Sequence, residues 1–207
     1  MALHLVSHPV AQDALVLLRD TSTPAALFRH LAHRVGVLVA AEATRDLPTT
    51  PVPVDTPLER TTGQQLATDI VVVAVLRAGL SLVDSVLELV PNARVGHVGL
   101  KRDEATAVAT KYSSHLPPSL SDSLVLLVDP MLATGGSAIM AVDVLKEAGA
   151  TRIRLLCVVA APEGVAALAA AHPDVDVYTP ALDRALNANK YIMPGLGDFG
   201  DRLYGTI

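Results

Sequence analysis

Val125-Leu-Leu-Val-Asp129-Pro-Met-Leu-Ala-Thr134-Gly-Gly-Ser137-Ala138 is the stretch on which the fold turns. Its apolar start has no polar alternation, the pattern of a strand covered on both faces. An acid closes the run, a glycine pair makes the turn, and a helical run through Glu147 follows. Gly149 suits the left-handed position just past a helix end. The amides left unpaired at a helix start carry partial positive charge and suit a phosphate. Gly135 and Gly136 let the backbone approach such a ligand, and a Cβ at 135 would stand in its way. Thr134 and Ser137 add hydroxyl donors. Asp129 suits sugar hydroxyls or a metal rather than the phosphate. A glycine pair before a helix is also ordinary connecting chemistry. No Lys follows the glycines, so this is not a Walker loop, and the spacing is not that of a dinucleotide loop.

The same alternation extends in both directions. Residues 70–76, 94–100, 153–159 and 175–178 read as strands, and residues 80–90 and 163–171 as helices. Residues 24–43 form a helix with Leu27, Leu31, Val35 and Leu38 on one apolar face. The expected fold is α/β: an open, mostly parallel sheet flanked by helices, with right-handed crossovers. Ligands then bind beyond the carboxyl ends of the strands. Pro51, Pro53 and Pro57 forbid a helix or central strand, so residues from about 48 to 60 make an extended arm or edge segment.

The chain has 207 residues, 51% apolar and 18% charged, without Trp. That fits one domain over residues 1–207 with an aliphatic core. The net charge is −5 and the 16 Lys and Arg form no dense run, which argues against binding nucleic acid through its phosphates. The single Cys, Cys157, sits in an apolar run and reads as a small buried hydrophobe. The N-terminus lacks the features of a signal peptide, and no apolar run approaches the ~20 residues of a membrane span. The expectation is a cytoplasmic protein with no membrane partner.

Three further segments carry chemistry. Arg77 ends the apolar strand Val75-Leu-Arg77-Ala-Gly79, where its fork either meets an anion or reaches solvent. Lys101-Arg102-Asp103-Glu104-Ala-Thr106 and the polar residues up to about 120 form a solvated charge cluster or a mobile flap. Tyr191-Ile-Met-Pro-Gly195-Leu-Gly-Asp198-Phe-Gly-Asp201 interleaves glycines with apolar residues. A solubilising tail does not need that, whereas a wall of main-chain N–H and C=O groups could hold the edge of a flat heterocycle. The tail spans about 187–207.

Residues 129–137 resemble the phosphoribosyl pyrophosphate (PRPP) signature of phosphoribosyltransferases, in the form used by the uracil enzymes, with Asp129-Pro130 where most relatives carry two acids. The tail is similar to their uracil-binding segment, Tyr-Ile-(Ile/Val)-Pro-Gly-Leu-Gly-Asp-Ala-Gly-Asp, with Phe199 in place of Ala and Lys190 in place of Gly. His8-Pro9, Glu42 to Leu47, Ala160 to Gly164 and Ala171 to Asp174 also look like family segments, so the likeness covers nearly the whole chain. It implies transfer of the phosphoribosyl group of PRPP to uracil N1, giving UMP and pyrophosphate, with Mg²⁺ held mainly through PRPP and water. It implies PRPP contacts at Arg77, Arg102, Asp129, Pro130, Met131, Leu132, Ala133, Thr134, Gly135, Gly136, Ser137 and Asp198. Uracil contacts are implied at Ile192, Gly197, Asp198 and Phe199, with Asp198 and Arg102 as the catalytic candidates. A homo-oligomer and a GTP effector are further expectations. If position 199 serves only through its backbone, Phe is tolerated; a ring in the pocket would alter base selectivity.

Overall fold

The computed structural model describes residues 1–102 and 109–206, with the backbone alone at 101–102 and 109–111. The chain opens with β1 (Leu3–Leu5), α1 (Pro9–Arg19) and α2 (Ala25–Ala43). A hairpin of β2 (Thr49–Asp55) and β3 (Arg60–Leu66) follows, then β4 (Asp69–Leu76), a 3₁₀ turn at Ala78–Leu82 and α3 (Val83–Leu89). Next come β5 (Arg94–Arg102), β6 (Ala109–His115), β7 (Ser123–Val128), the two-residue β8 (Met131–Leu132) and α4 (Gly136–Glu147). The remainder is β9 (Arg152–Leu156), β10 (Val159–Ala160), α5 (Pro162–Ala171), β11 (Asp176–Thr179), β12 (Ala185–Leu186), β13 (Ile192–Met193) and α6 (Phe199–Tyr204).

Seven strands form the main sheet in the order β1-β11-β9-β7-β4-β5-β6. All neighbours are parallel except β5 and β6. The apolar strands alternate between two buried faces. Ile70, Val72 and Ala74 of β4 join Leu124, Leu126 and Val128 of β7 under α1, α2 and α3. Val71, Val73 and Val75 join Val125 and Leu127 beneath α4 and α5. Neither strand reads as alternating because both of its faces are covered.

After β4 the chain passes to β5 on one side, and after β7 it passes to β9 on the other. The carboxyl ends of β4 and β7 therefore meet where the strand order reverses, the place where such sheets open a ligand crevice.

The expected elements are present, with instructive differences. The apolar run 153–159 splits into β9 and β10, because Pro130 O accepts from Val158 N at 2.9 Å and Val159 N at 3.2 Å and bends the chain toward β8. Residues 80–90 enter their helix through a 3₁₀ turn. The Pro-rich arm is one strand of an exposed antiparallel hairpin, since β3 pairs along its whole length. Part of the polar stretch after 108 is the edge strand β6. Residues 103–108, which hold Asp103 to Thr106 of the expected flap, lie outside the described residues, as does the side chain of Arg102.

Candidate active site

The loop after β7 is fixed from below. Asp129 N donates to Leu156 O at 3.2 Å, and β8 pairs in parallel with β10. Ala161 N donates to Leu132 O at 2.9 Å. Gly135 then turns with φ +86° and precedes the first residue of α4. A Cβ built at Gly135 would lie 3.0 Å from Gly164 O and 3.1 Å from the Ala167 Cβ. It would thus strike α5, a packing reason for glycine at this position that the sequence reading did not include. Gly164 mirrors this close approach, for a Cβ on it would come within 2.4 Å of Ala133 O. The loop rests directly on the first turn of α5.

The tail is built against the same helix. β12 and β13 pair antiparallel, and Leu186 N donates to the Glu163 carboxylate at 2.9 Å. That bond holds the Glu163 carboxyl below its ordinary value. In the intervening loop the Asn187 side-chain oxygen accepts from Asn189 N and Tyr191 N, both at 2.9 Å. Lys190 sits at φ +65°, a conformation that favours glycine. Asp198 caps α6 through Oδ1, which accepts from Asp201 N at 2.9 Å. Its other carboxylate oxygen has no hydrogen bond among the described residues. The expected glycine-rich turn therefore ends in a short helix.

The two segments face one cleft of about 740 Å³. From the loop it is lined by Asp129, Pro130, Met131, Leu132, Ala133, Thr134, Gly135 and Ser137, and from the tail by Ile192, Gly197, Asp198 and Phe199. Phe199 is 2% exposed, and its ring meets that of Phe28 edge-on at 5.1 Å between centroids. The ring belongs to the core under α2, which leaves the backbone at the cleft. Gly136 does not line the cleft. Neither does Arg77, although its neighbour Ala78 does. Arg77 is exposed at the end of β4, its carbonyl accepts from the Tyr204 hydroxyl at 3.1 Å, and its guanidinium lies 5.8 Å from that ring's centroid.

Ala188 and Asn189 also line the cleft, beside Lys190 and Tyr191, and were not singled out in the sequence. The Asn187-Ala-Asn-Lys190 turn pattern was the available signal. Arg202 was missed as well. It donates to Leu196 O at 2.7 Å and to the carbonyls of Leu18 and Asp20, tying the tail to the end of α1. Burial pushes its guanidinium pKa down, while nearby Asp20 opposes this. No helix among the described residues is long and apolar enough to cross a membrane.

Comparison with known proteins matches residues 5–206 to the uracil phosphoribosyltransferase family profile. A uracil phosphoribosyltransferase of Streptococcus agalactiae is 52% identical over 98% of this chain and 97% of its own. One from Lactococcus lactis is 51% identical, covering 98% of this chain and 97% of that protein. Among solved structures, the AQ2163 protein of Aquifex aeolicus superimposes with a TM-score of 0.94 at 35% identity, covering 98% of this chain and 97% of that one.

Proposed function

The chain belongs to the uracil phosphoribosyltransferase family, and we infer from this that its cleft joins uracil to the ribose of PRPP, giving UMP and pyrophosphate. The enzyme is a pentosyl transferase of pyrimidine salvage. One observation carries the assignment to this cleft: the loop after β7 and the tail through α6, far apart in sequence, line a single cavity.

In the proposed arrangement the loop amides at 133–137 cradle the 5′-phosphate at the start of α4. Asp129, at the end of β7, accepts from the ribose hydroxyls. Arg77 and Arg102 share the diphosphate charge from the ends of β4 and β5. The bond to the anomeric carbon breaks through an oxocarbenium-like state as pyrimidine N1 attacks. The dominant contribution is stabilisation of the departing negative charge, not a covalent intermediate.

Asp129 and Asp198 both line the cleft. No group of three or more His, Cys, Asp or Glu suited to a metal occurs among the described residues. Such a sparse donor set fits Mg²⁺ carried mainly by substrate oxygens and water, with Asp129 and Asp198 as its protein partners. Bound there, the ion would neutralise diphosphate charge.

The base lies against main-chain groups at Ile192 and 197–199, with Asp198 beside it. Cytosine presents an amino donor and an N3 acceptor where such a wall expects the reverse, a mismatch worth ~10⁴-fold or more. The test is purified protein with PRPP, Mg²⁺ and uracil, with cytosine and purines in parallel. UMP forms with uracil alone; pyrophosphate release that ignores the base would overturn the reading. Running the same assay with and without GTP, beside a sizing measurement, tests the effector and the homo-oligomer.

A further inference from the structure

The phosphate loop and the base-side turn come from separate segments, and one buried carboxylate joins them. The Asp183 side chain is 5% exposed. On its main-chain side, Asp183 N donates to Ala160 O at 2.8 Å, and Ala160 is the β10 residue paired with Leu132 of the phosphate loop. On its side-chain side, Oδ2 accepts from Gly195 N at 2.8 Å. Arg19 completes the clamp. Its Nη1 donates to Asp183 Oδ2 and to Gly195 O, both at 2.8 Å, while Nη2 donates to Asp183 Oδ1 at 2.6 Å.

Both main-chain groups of Gly195 are thus held by a single ion pair. Gly195 takes φ +62°, and a Cβ there would lie 2.1 Å from Ile192 O. Two residues later the chain reaches 197–199, the wall assigned to uracil. A partly buried ion pair adds little net stability over apolar packing. Its bidentate geometry instead fixes orientation.

We propose that Asp183, clamped by Arg19, is a positioning residue that sets the separation between the phosphate loop and the base-binding turn, and so places N1 of the base against the anomeric carbon. This inference rests on the function proposed above. Bond formation needs the reacting atoms about 3–3.5 Å apart, and a displacement of about 1 Å can cost ~100-fold in rate. A product such as UMP spans both subsites and senses their separation. Ribose 5-phosphate occupies the phosphate side alone.

Asp183→Asn keeps the shape but turns one acceptor into a donor, facing either Gly195 N–H or Arg19. The expected result is ribose 5-phosphate affinity within about twofold of wild type, UMP affinity reduced at least about tenfold, and kcat with uracil reduced about 100-fold. Arg19→Lys, which keeps the charge but loses the planar two-nitrogen fork that meets both carboxylate oxygens and Gly195 O, shifts the same quantities in the same direction by less. If Asp183→Asn does not fold, Arg19→Lys carries both ligand measurements. A merely structural role would weaken ribose 5-phosphate and UMP by the same factor, and that result overturns the proposal, as does unchanged UMP affinity and kcat. A wild-type chain that makes no UMP overturns the parent reading and this inference with it. Wild-type activity with an unaltered ligand ratio in the variants overturns this inference alone.

Discussion

Single positions in the cleft show how backbone conformation and ligand chemistry become entangled. Gly135 at φ +86° leaves no room for a β-branched residue, and the contact it would violate belongs to α5. Gly135→Val is therefore expected to lower both the thermal midpoint and PRPP affinity, the latter by tenfold or more, about 1.4 kcal/mol for each factor of ten. Calorimetric titration with PRPP checks this; normal affinity would count against the loop assignment. Gly136→Ala is the contrast, because a Cβ there meets only Thr134 Oγ1 at 3.8 Å. It should keep the wild-type midpoint. Lys190 presents the opposite case, a long side chain at φ +65°. Lys190→Gly should relieve about 1 kcal/mol of left-handed strain and raise the midpoint by about 2–4 °C for a chain of this length. A lower midpoint on scanning calorimetry would refute it.

At the scale of elements, α6 is the piece the residue pattern concealed. Six residues with two glycines just before them do not announce a helix, and the cap that starts it, Asp198, reads as a ligand-facing acid. What stabilises α6 is tertiary: Phe199 against Phe28, and the Arg202 guanidinium 4.5 Å from the centroid of that same Phe28 ring. Phe199→Ala should therefore cost about 3–5 kcal/mol of stability, as for other buried Phe truncations, and leave the preference for uracil over cytosine unchanged. Denaturant unfolding and base competition measure the two effects, and a shifted preference would place the ring's influence in the pocket. The parallel strands and the helices 24–43 and 163–171 were legible because unbroken apolar runs and helical spacing survive in a single chain. The short β1, β8, β12 and β13 were not, since two- or three-residue strands carry no period. The strand, acid, glycine turn and helix at Asp129 and residues 133–137 were legible as local structure, and Asp129, Ala133, Thr134, Gly135 and Ser137 line the cleft. Asp183 and Arg19 were not, because only the fold brings residues 164 positions apart together.

Across the whole molecule, ion pairs fasten layers that the apolar core leaves open at the edges. Arg154 on β9 reaches Asp46 beyond α2 at 2.6 and 2.9 Å and also bonds Ala43 O. Arg94 and Ser123 hold Asp69 at the start of β4, and Lys146 holds Asp174. The hydrogen bond from Arg154 lowers the pKa of Asp46, and those from Arg94 and Lys146 do the same for Asp69 and Asp174. A carboxyl with a depressed folded value contributes stability that is fully present above its ordinary value of 3.8. That contribution is lost as the pH falls from there through the folded value. The thermal midpoint should hold steady down to about pH 5 and drop below pH 4. Asp46→Asn should lie below wild type at pH 7 and converge on it in strong acid. A gap that persists or widens in acid would show that charge is not what Asp46 contributes.

The clamp on Gly195 has a consequence for synthesis. Residues 129–137 and the α5 they rest on leave a translating ribosome before residues 183–204 do, whereas a domain generally folds as a unit. In a chain cut short before Gly195, Arg19 has neither Gly195 O to bond nor the late turn to hold. On the proposed function, turnover would then begin only when that late segment folds back onto α1.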